Sequence, residues 1–413
     1  MGRDRDDDQE LSAEDVRRRF VWARRQGRPA WLWPDVPIPA WRAALAGIEA
    51  VIVRALASQD AAIDGDPEAI GLAGYTSGMG PLLGWWVEQG RLDAGVAVAD
   101  VLRRHLAHNR IRAARMATAS AELVGRLAER GIGSLVLKGA HTGPAYFPEA
   151  GTRPASDIDL LVRPSDVAAA QAVLRREGLV LTGRGPWESN WRPAALAAAP
   201  RSLSYVHAEN PWSVDLHESL TVTAGGGAPL AELDLADPMD SRSRWPADPR
   251  AGVLDQPLLV LYLAAHAGAG WHSLTLLRQL ELALVIQQDA AAGRLSWDEL
   301  LAVGRRTGVL GYAYPALRLA GTLAPGIVPE AVLQACAASA PPAVRRALAG
   351  LTPASAQRVD RSSLAEHFMW AAGWRARLRQ LASDALPSVG SSSAILKIYE
   401  ERAWRLIRGT VSQ

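Results

Sequence analysis

Lysine is nearly missing from this chain. Of its 45 basic residues only Lys138 and Lys397 are lysine. Arginine fills the rest, in an alanine-rich background that has the pattern of a codon bias. A lysine kept against that bias marks a position that wants a compact ammonium rather than a planar guanidinium. Cysteine is rarer still. Cys336 stands alone, which excludes an intrachain disulfide and a multi-cysteine zinc site; as a single apolar thiol it reads as a small core residue. Excess charge of either sign is also lacking. With 43 acids against 45 bases the net charge is +2, so the chain is no general polyanion binder and nucleic acid is not indicated as a partner. The most apolar stretch, around 258–269, contains His266 and falls short of the ~20 apolar residues that a membrane span needs. The opening MGRDRDDDQELSAEDVRRRF is charged throughout and has no apolar signal core. A cytoplasmic protein with no membrane contact is therefore expected.

What is present is an ordinary globular composition, 49% hydrophobic over 413 residues, enough for two or three folded units. Helical periodicity runs through 41–57, 81–89 and 93–130. The glycine-rich stretch 65–80 reads as a loop. The long segment 93–130 carries Arg103, Arg104, Arg110, Arg112 and Arg115, which read as a solvated face, with His105 and His108 as surface residues. At Gly131 the period changes. Strands are predicted at 134–139, 157–162, 178–182, 202–208 and 212–218, with helices at 140–147 and 165–177 and a long loop at 183–199. After Pro257 the pattern is helical again, at 258–268, 274–292, 297–308, 312–323, 331–338, 343–351, 365–382 and 395–408. The expected architecture is a mostly α, α+β chain. A small mixed-sheet core at 131–220 lies between an N-terminal helical region, 1–130, and a C-terminal one, 221–413.

Chemistry concentrates in the core. Asp157-Ile158-Asp159 lies on a predicted strand, where residues two apart share a face. Two like charges side by side raise each other's pKa, and a divalent cation relieves the repulsion. Mg²⁺, with Mn²⁺ as the alternative, suits such hard oxygen ligands. Asp215 sits on another strand between apolar neighbours. It adds the third carboxylate of the set used for two-metal-ion phosphoryl transfer. Upstream, Lys138-Gly139-Ala140-His141-Thr142 joins a strand to a helix. Glycine lets a backbone approach phosphate and a helix N-terminus favours anions. Arg153, in the loop before Asp157, offers a guanidinium to phosphate oxygens.

These residues resemble a family. LVLKGAHTGPAYFPEAGTRPASDIDLLV is similar to the signature of the uncharacterised bacterial nucleotidyltransferases of the polymerase-β superfamily. Lys138, Gly139, Ala140, Tyr146, Arg153, Pro154, Asp157, Ile158, Asp159, Leu160 and Leu161 match, as do Asp215, Leu216 and His217 further on. In the helical segment after Pro257, His266 and Trp271 match best, and Glu281 stands where an aspartate is common. The resemblance is absent at both ends of the chain. It implies a polymerase-β-like nucleotidyltransferase core. It also implies metal-dependent transfer of a nucleoside monophosphate from an NTP, ATP first among them, to an unidentified acceptor: a small molecule, a peptide or a glycan-pathway hydroxyl. Asp157, Asp159 and Asp215 would bind metal and carry catalysis, and Lys138, Gly139, Ala140 and Arg153 would bind nucleotide. The usual Gly-Ser pair is Gly139-Ala140 here, so the phosphate-side hydroxyl falls to Thr142 or Ser156.

His217, two residues from Asp215, is suited either to the acceptor or to a structural hydrogen bond. Trp187 and Trp191, in the predicted loop, are candidates to cover the acceptor. His266 and His272 lack a third metal partner and read as packed or capping residues. Two alternatives to the transferase remain. One is a glycosyltransferase whose Asp-x-Asp binds a nucleotide-sugar; the other is a non-catalytic helical scaffold around a degenerate core.

Overall fold

The computed structural model describes residues 36–185, 187–195, 205–224, 228–233, 243–271, 274–357 and 368–371, together with Ser202 and Ser241. His272, Lys397, the predicted helix at 395–408 and most of that at 365–382 lie outside the described residues.

Proline and capping side chains decide where the first helices begin. α1 (Ile38–Leu56) has Pro39 in its first turn. After β1 (Ala61–Ile63), α2 (Pro67–Ser77) occupies the glycine-rich stretch that composition predicts as a loop. Asp66 caps it by accepting from the Glu68 N–H at 3.2 Å, Pro67 opens it, and Gly78 closes it in the left-handed conformation. The cap and the two end residues set its limits, and Gly71 and Gly74 are carried buried in its interior. α3 (Gly80–Glu88) leads to β2 (Leu92–Ala94), which pairs in parallel with β1 and delays the start of α4 (Val96–Ala128) beyond the expected position.

The core follows as β3 (Leu135–Leu137), α5 (Lys138–Tyr146), β4 (Asp157–Leu161), α6 (Val167–Arg176), β5 (Leu179–Arg184), β6 (Glu188–Pro193) and β7 (Ser213–His217). The alternation of elements agrees with the sequence reading, but its sixth member does not. β6 lies inside the predicted loop, whereas Ser202 and residues 205–208 are not strand. The reason is a competition for backbone donors. The Val206 N–H donates to His105 Nδ1 at 3.4 Å and the Ala208 N–H to His108 Nδ1 at 3.2 Å, so α4 takes the donors that a ladder would use. His105, expected at the surface, is buried beneath this segment, and burial pushes its pKa down to about 3.

The five strands order as β3-β4-β7-β6-β5, with β4 and β7 parallel and the other pairs antiparallel. One face packs on α4 and α6, where Ile158, Leu160, Val214, Leu216 and Trp191 meet Met116, Leu123, Leu127, Ala170 and Leu174. Each fully buried aliphatic side chain contributes roughly 1.5–3 kcal/mol, so this face orients β4 and β7 firmly. On the other face Leu137 and Leu161 join a second core with α7 (Leu258–Ala269) and with a hairpin of β8 (Leu220–Ala224) and β9 (Ala228–Leu233). The sequence reading did not anticipate that hairpin. α8 (Leu276–Ala291), α9 (Trp297–Thr307), α10 (Leu310–Leu323), α11 (Glu330–Ser339) and α12 (Pro342–Leu348) complete the described elements. A third core joins α1, α2 and α3 to Leu276, Leu277 and Leu280 of α8, so the first and last helical regions pack on one another. The result is an α+β fold with a small mixed sheet flanked by helices.

Candidate active site

Two buried residues aim the acids. Ile158 and Leu160 point into the α4/α6 core, so Asp157 and Asp159 must face the opposite side of β4. The parallel register sets Asp159 opposite Asp215 and Asp157 opposite Ser213. Carboxylate oxygens of Asp157, Asp159 and Asp215 all lie within 4.8 Å of one another. On the far side of β7, β6 places Asn190 opposite Asp215 and Glu188 opposite His217. Asn190 Nδ2 donates to Asp215 Oδ1 at 2.8 Å.

Lys138 is the first residue of α5 and sits at φ 45°, in the left-handed region, a conformation that costs a non-glycine residue about 1–3 kcal/mol. Its ammonium donates to Asp159 Oδ1 at 2.7 Å and lies 5.9 Å from the centre of the Tyr262 ring. The same oxygen accepts from His217 Nε2 at 2.9 Å, while His217 Nδ1 lies 3.4 Å from Glu188 Oε2. His217 therefore braces the acids from within the fold. His266, on α7, is held well below the ordinary histidine pKa by the Lys138 charge and by burial, which keeps it neutral beside the ammonium.

The three acids differ electrostatically. Burial alone would raise Asp159, but the Lys138 ammonium and the His217 hydrogen bond outweigh it and hold the carboxyl well below the usual range. Burial, then the Asp159 charge, push Asp157 up. Burial also pushes Asp215 up to about 6, helped by the Asp159 and Asp157 charges and opposed by the Asn190 hydrogen bond. One lysine thus leaves the cluster two charges in excess, and the excess rests on Asp157 and Asp215. Three converging carboxylate oxygens under that repulsion fit a small divalent cation such as Mg²⁺.

The residues expected at the phosphates are placed differently. Arg153 Nε and Nη2 donate to the two oxygens of Glu281 on α8 at 2.9 and 3.0 Å, and Nη1 donates to the Pro154 carbonyl at 3.1 Å. Gly139 faces that guanidinium, and a β-carbon there would collide with it. Thr142 is buried, with its hydroxyl bonded to Glu281 and to the Lys138 carbonyl. The Ala140 carbonyl accepts from Trp245 Nε1 at 3.2 Å. Ser156 is exposed at the mouth of the cluster, and its carbonyl accepts from the Ser213 N–H at 3.1 Å. Tyr146 is tied to α8, its hydroxyl 3.0 Å from Asp289 Oδ2. Trp191 is wholly buried and bonds Ser189, so it does not reach an acceptor. Trp187 is half-buried at the β5–β6 turn.

Arg112 is the buried exception in an arginine row expected to be solvated. It donates to the Ala155 carbonyl at 3.2 Å, to that of Pro211 at 2.9 Å and to that of Asn210. It thereby ties the segments entering β4 and β7 to α4. Sequence reasoning missed Asn190, Glu188 and Arg192. The alternation of Glu188, Asn190 and Arg192 with buried Ser189 and Trp191 is the signal of their strand, but it spans only five residues beside a proline.

A family model described as "Uncharacterised nucleotidyltransferase" matches residues 76–325, more than half of the chain, and the chain belongs to that family. No curated protein and no solved structure matches it. The matched span contains the whole sheet and α7 to α10, so the acidic centre lies inside a nucleotidyltransferase-like domain.

Proposed function

We propose that this member of the nucleotidyltransferase family transfers a nucleoside monophosphate from an NTP, with ATP the first candidate, to a hydroxyl-bearing acceptor, breaking the α–β phosphoanhydride and releasing pyrophosphate, in a reaction that depends on Mg²⁺ or Mn²⁺. The observation that carries the reading is the convergence of Asp157, Asp159 and Asp215 within 4.8 Å on two neighbouring parallel strands. When bound between them, the metal supplies activation of the acceptor oxygen and neutralisation of the phosphates.

The remaining work falls to the chain. Asp159 has one oxygen committed to Lys138 and His217, which fixes its plane and leaves the other oxygen for a ligand. Asp215 is held the same way by Asn190. We assign to it, as the single acid on its strand of the pair, the acceptor's proton. Lys138 keeps Asp159 ionised and supplies a fixed positive charge beside the transferring phosphoryl group. No step requires a side chain to form a covalent bond to substrate. Membership of the nucleotidyltransferase family, and helices rather than a long nucleotide-binding region before the acids, weigh against the glycosyltransferase alternative.

The test is turnover of each radiolabelled NTP in a cell extract with and without Mg²⁺. Asp157→Ala and Asp159→Ala are expected to abolish labelling while thermal unfolding stays cooperative. Full labelling by either variant would overturn the assignment.

A further inference from the structure

The cations facing the acidic centre divide into committed and free. Lys138 is bound by Asp159, Arg153 by Glu281, and Arg112 by three carbonyls. A triphosphate would have to break the Arg153 or the Arg112 set to use it, whereas Lys138 acts on the phosphoryl group from its place on Asp159. Arg192 and Arg278 are different, since neither guanidinium makes a hydrogen bond or ion pair among the described residues. Arg192 is the more telling, because its Nε is buried without a partner. A buried donor left unmade costs free energy, and a site awaiting an anion explains it.

Both arginines sit at one end of the cluster. Trp191 pairs with Val214, so Arg192 comes next, beside Ser213, which pairs with Asp157. Alternation puts Arg192 on the face of Asn190 and Asp215. Two inter-strand spacings, about 10 Å, separate it from β4. On the opposite flank, Arg278 is one turn before Glu281 on α8, hence on the same helix face as the residue that grips Arg153. It is exposed, and its helix is the one that holds, through Glu281, the Arg153 loop leading into Asp157. The other end of the cluster is occupied by His217, Glu188 and the apolar Leu161 packed under α7.

We propose that Arg192 and Arg278 form the triphosphate clamp of this site and hold the phosphate chain across the Asp157 end, with Lys138 and Arg153 serving as internal struts. This assignment rests on the nucleotidyltransferase reading and deepens it by naming the groups that recognise the polyphosphate.

The test is equilibrium binding of the four MgNTPs, Mg-tripolyphosphate and AMP to the full chain. The proteins compared are wild type, Arg192→Met, Arg278→Met and the double variant, with thermal unfolding measured on each. Losing a charge-assisted bond weakens binding by about 10- to 100-fold. Each single variant is expected to show that loss for MgATP and Mg-tripolyphosphate and none for AMP. The unfolding midpoint of Arg192→Met is expected to be no lower than that of wild type, because no bond is lost. Arg192→Lys, which keeps the charge, is expected to restore part of the affinity and serves as the second variant if Arg192→Met unfolds. Tight MgATP binding by wild type and both variants alike would sink the clamp and leave the transferase reading intact. Equal losses for AMP and MgATP would also sink it, by placing the arginines on the base or sugar. Failure of wild type to bind any of the four MgNTPs would remove the transferase reading, and the clamp with it.

Discussion

Replacing Glu281 separates a strut from a substrate ligand. Its carboxylate holds Arg153 through bonds of 2.9 and 3.0 Å, with the two side chains only 4% and 10% exposed. Glu281→Met leaves the Arg153 charge buried without a partner, which costs about 3–5 kcal/mol. Arg153→Met does the same to Glu281, softened by the Thr142 hydroxyl that still bonds it. Replacing both with methionine removes two desolvated charges at once, and is expected to lie within about 1 kcal/mol of wild type. The double-mutant cycle should therefore show a coupling of about 3 kcal/mol or more, at the upper end for residues in contact. Against a total stability of about 5–15 kcal/mol the single losses are easily measured. The assay is urea denaturation at neutral pH, reading midpoint and slope separately. MgATP affinity of the double variant, measured alongside, is expected to match wild type. Additive losses in the cycle, or single losses under about 1 kcal/mol, would refute the buried-strut argument. A stable double variant that no longer binds MgATP would return Arg153 to the phosphates.

Gly139→Ala should act through the same strut, since its β-carbon collides with the Arg153 guanidinium; a loss of about 1–3 kcal/mol in urea, shrinking when Arg153 is already methionine, is expected. Asp215 has its pKa pushed up to about 6 in the metal-free protein, so protons compete with the metal below that pH. Apparent Mg²⁺ affinity by calorimetry should fall by up to about tenfold per pH unit below 6. The same raised carboxyl binds its proton more tightly folded than unfolded, so its effect on metal-free stability should improve as pH falls from about 6 toward 4. Asp215→Asn should remove that component. Lys138→Arg keeps the charge but must fit a planar fork into a half-buried, left-handed position between Asp159 and Tyr262. Turnover is expected to drop at least about tenfold while unfolding stays cooperative; an unimpaired variant would mean that the scarcity of lysine carries no information about this site.

Errors in reading the fold from sequence share a cause. The strand expected at 202–208 is absent because His105 and His108, distant in sequence, take its backbone donors. The helix at Pro67–Ser77 was hidden by its glycines, of which Gly71 and Gly74 lie buried in its interior and only Gly78 ends it. β6 was hidden because its alternation is short and its burial comes from α4 and α6 behind the sheet. Arg112, one arginine in a row of similar ones, is distinguished only by the carbonyls that meet it.

The sequence by itself determined the acidic pair, the third carboxylate, the retained lysine and the family resemblance. Those depend on residue identity and on the two-residue period of a strand, both local. Tertiary structure decided which cations are without a partner among the described residues. The pairing of Arg153 with Glu281 spans 128 residues and that of Lys138 with Asp159 spans 21, and no periodicity reports a partner at such range. Every arginine carries the same charge in the sequence; whether that charge awaits a ligand depends on whether the fold has already supplied a carboxylate, as for Arg153, or a set of carbonyls, as for Arg112.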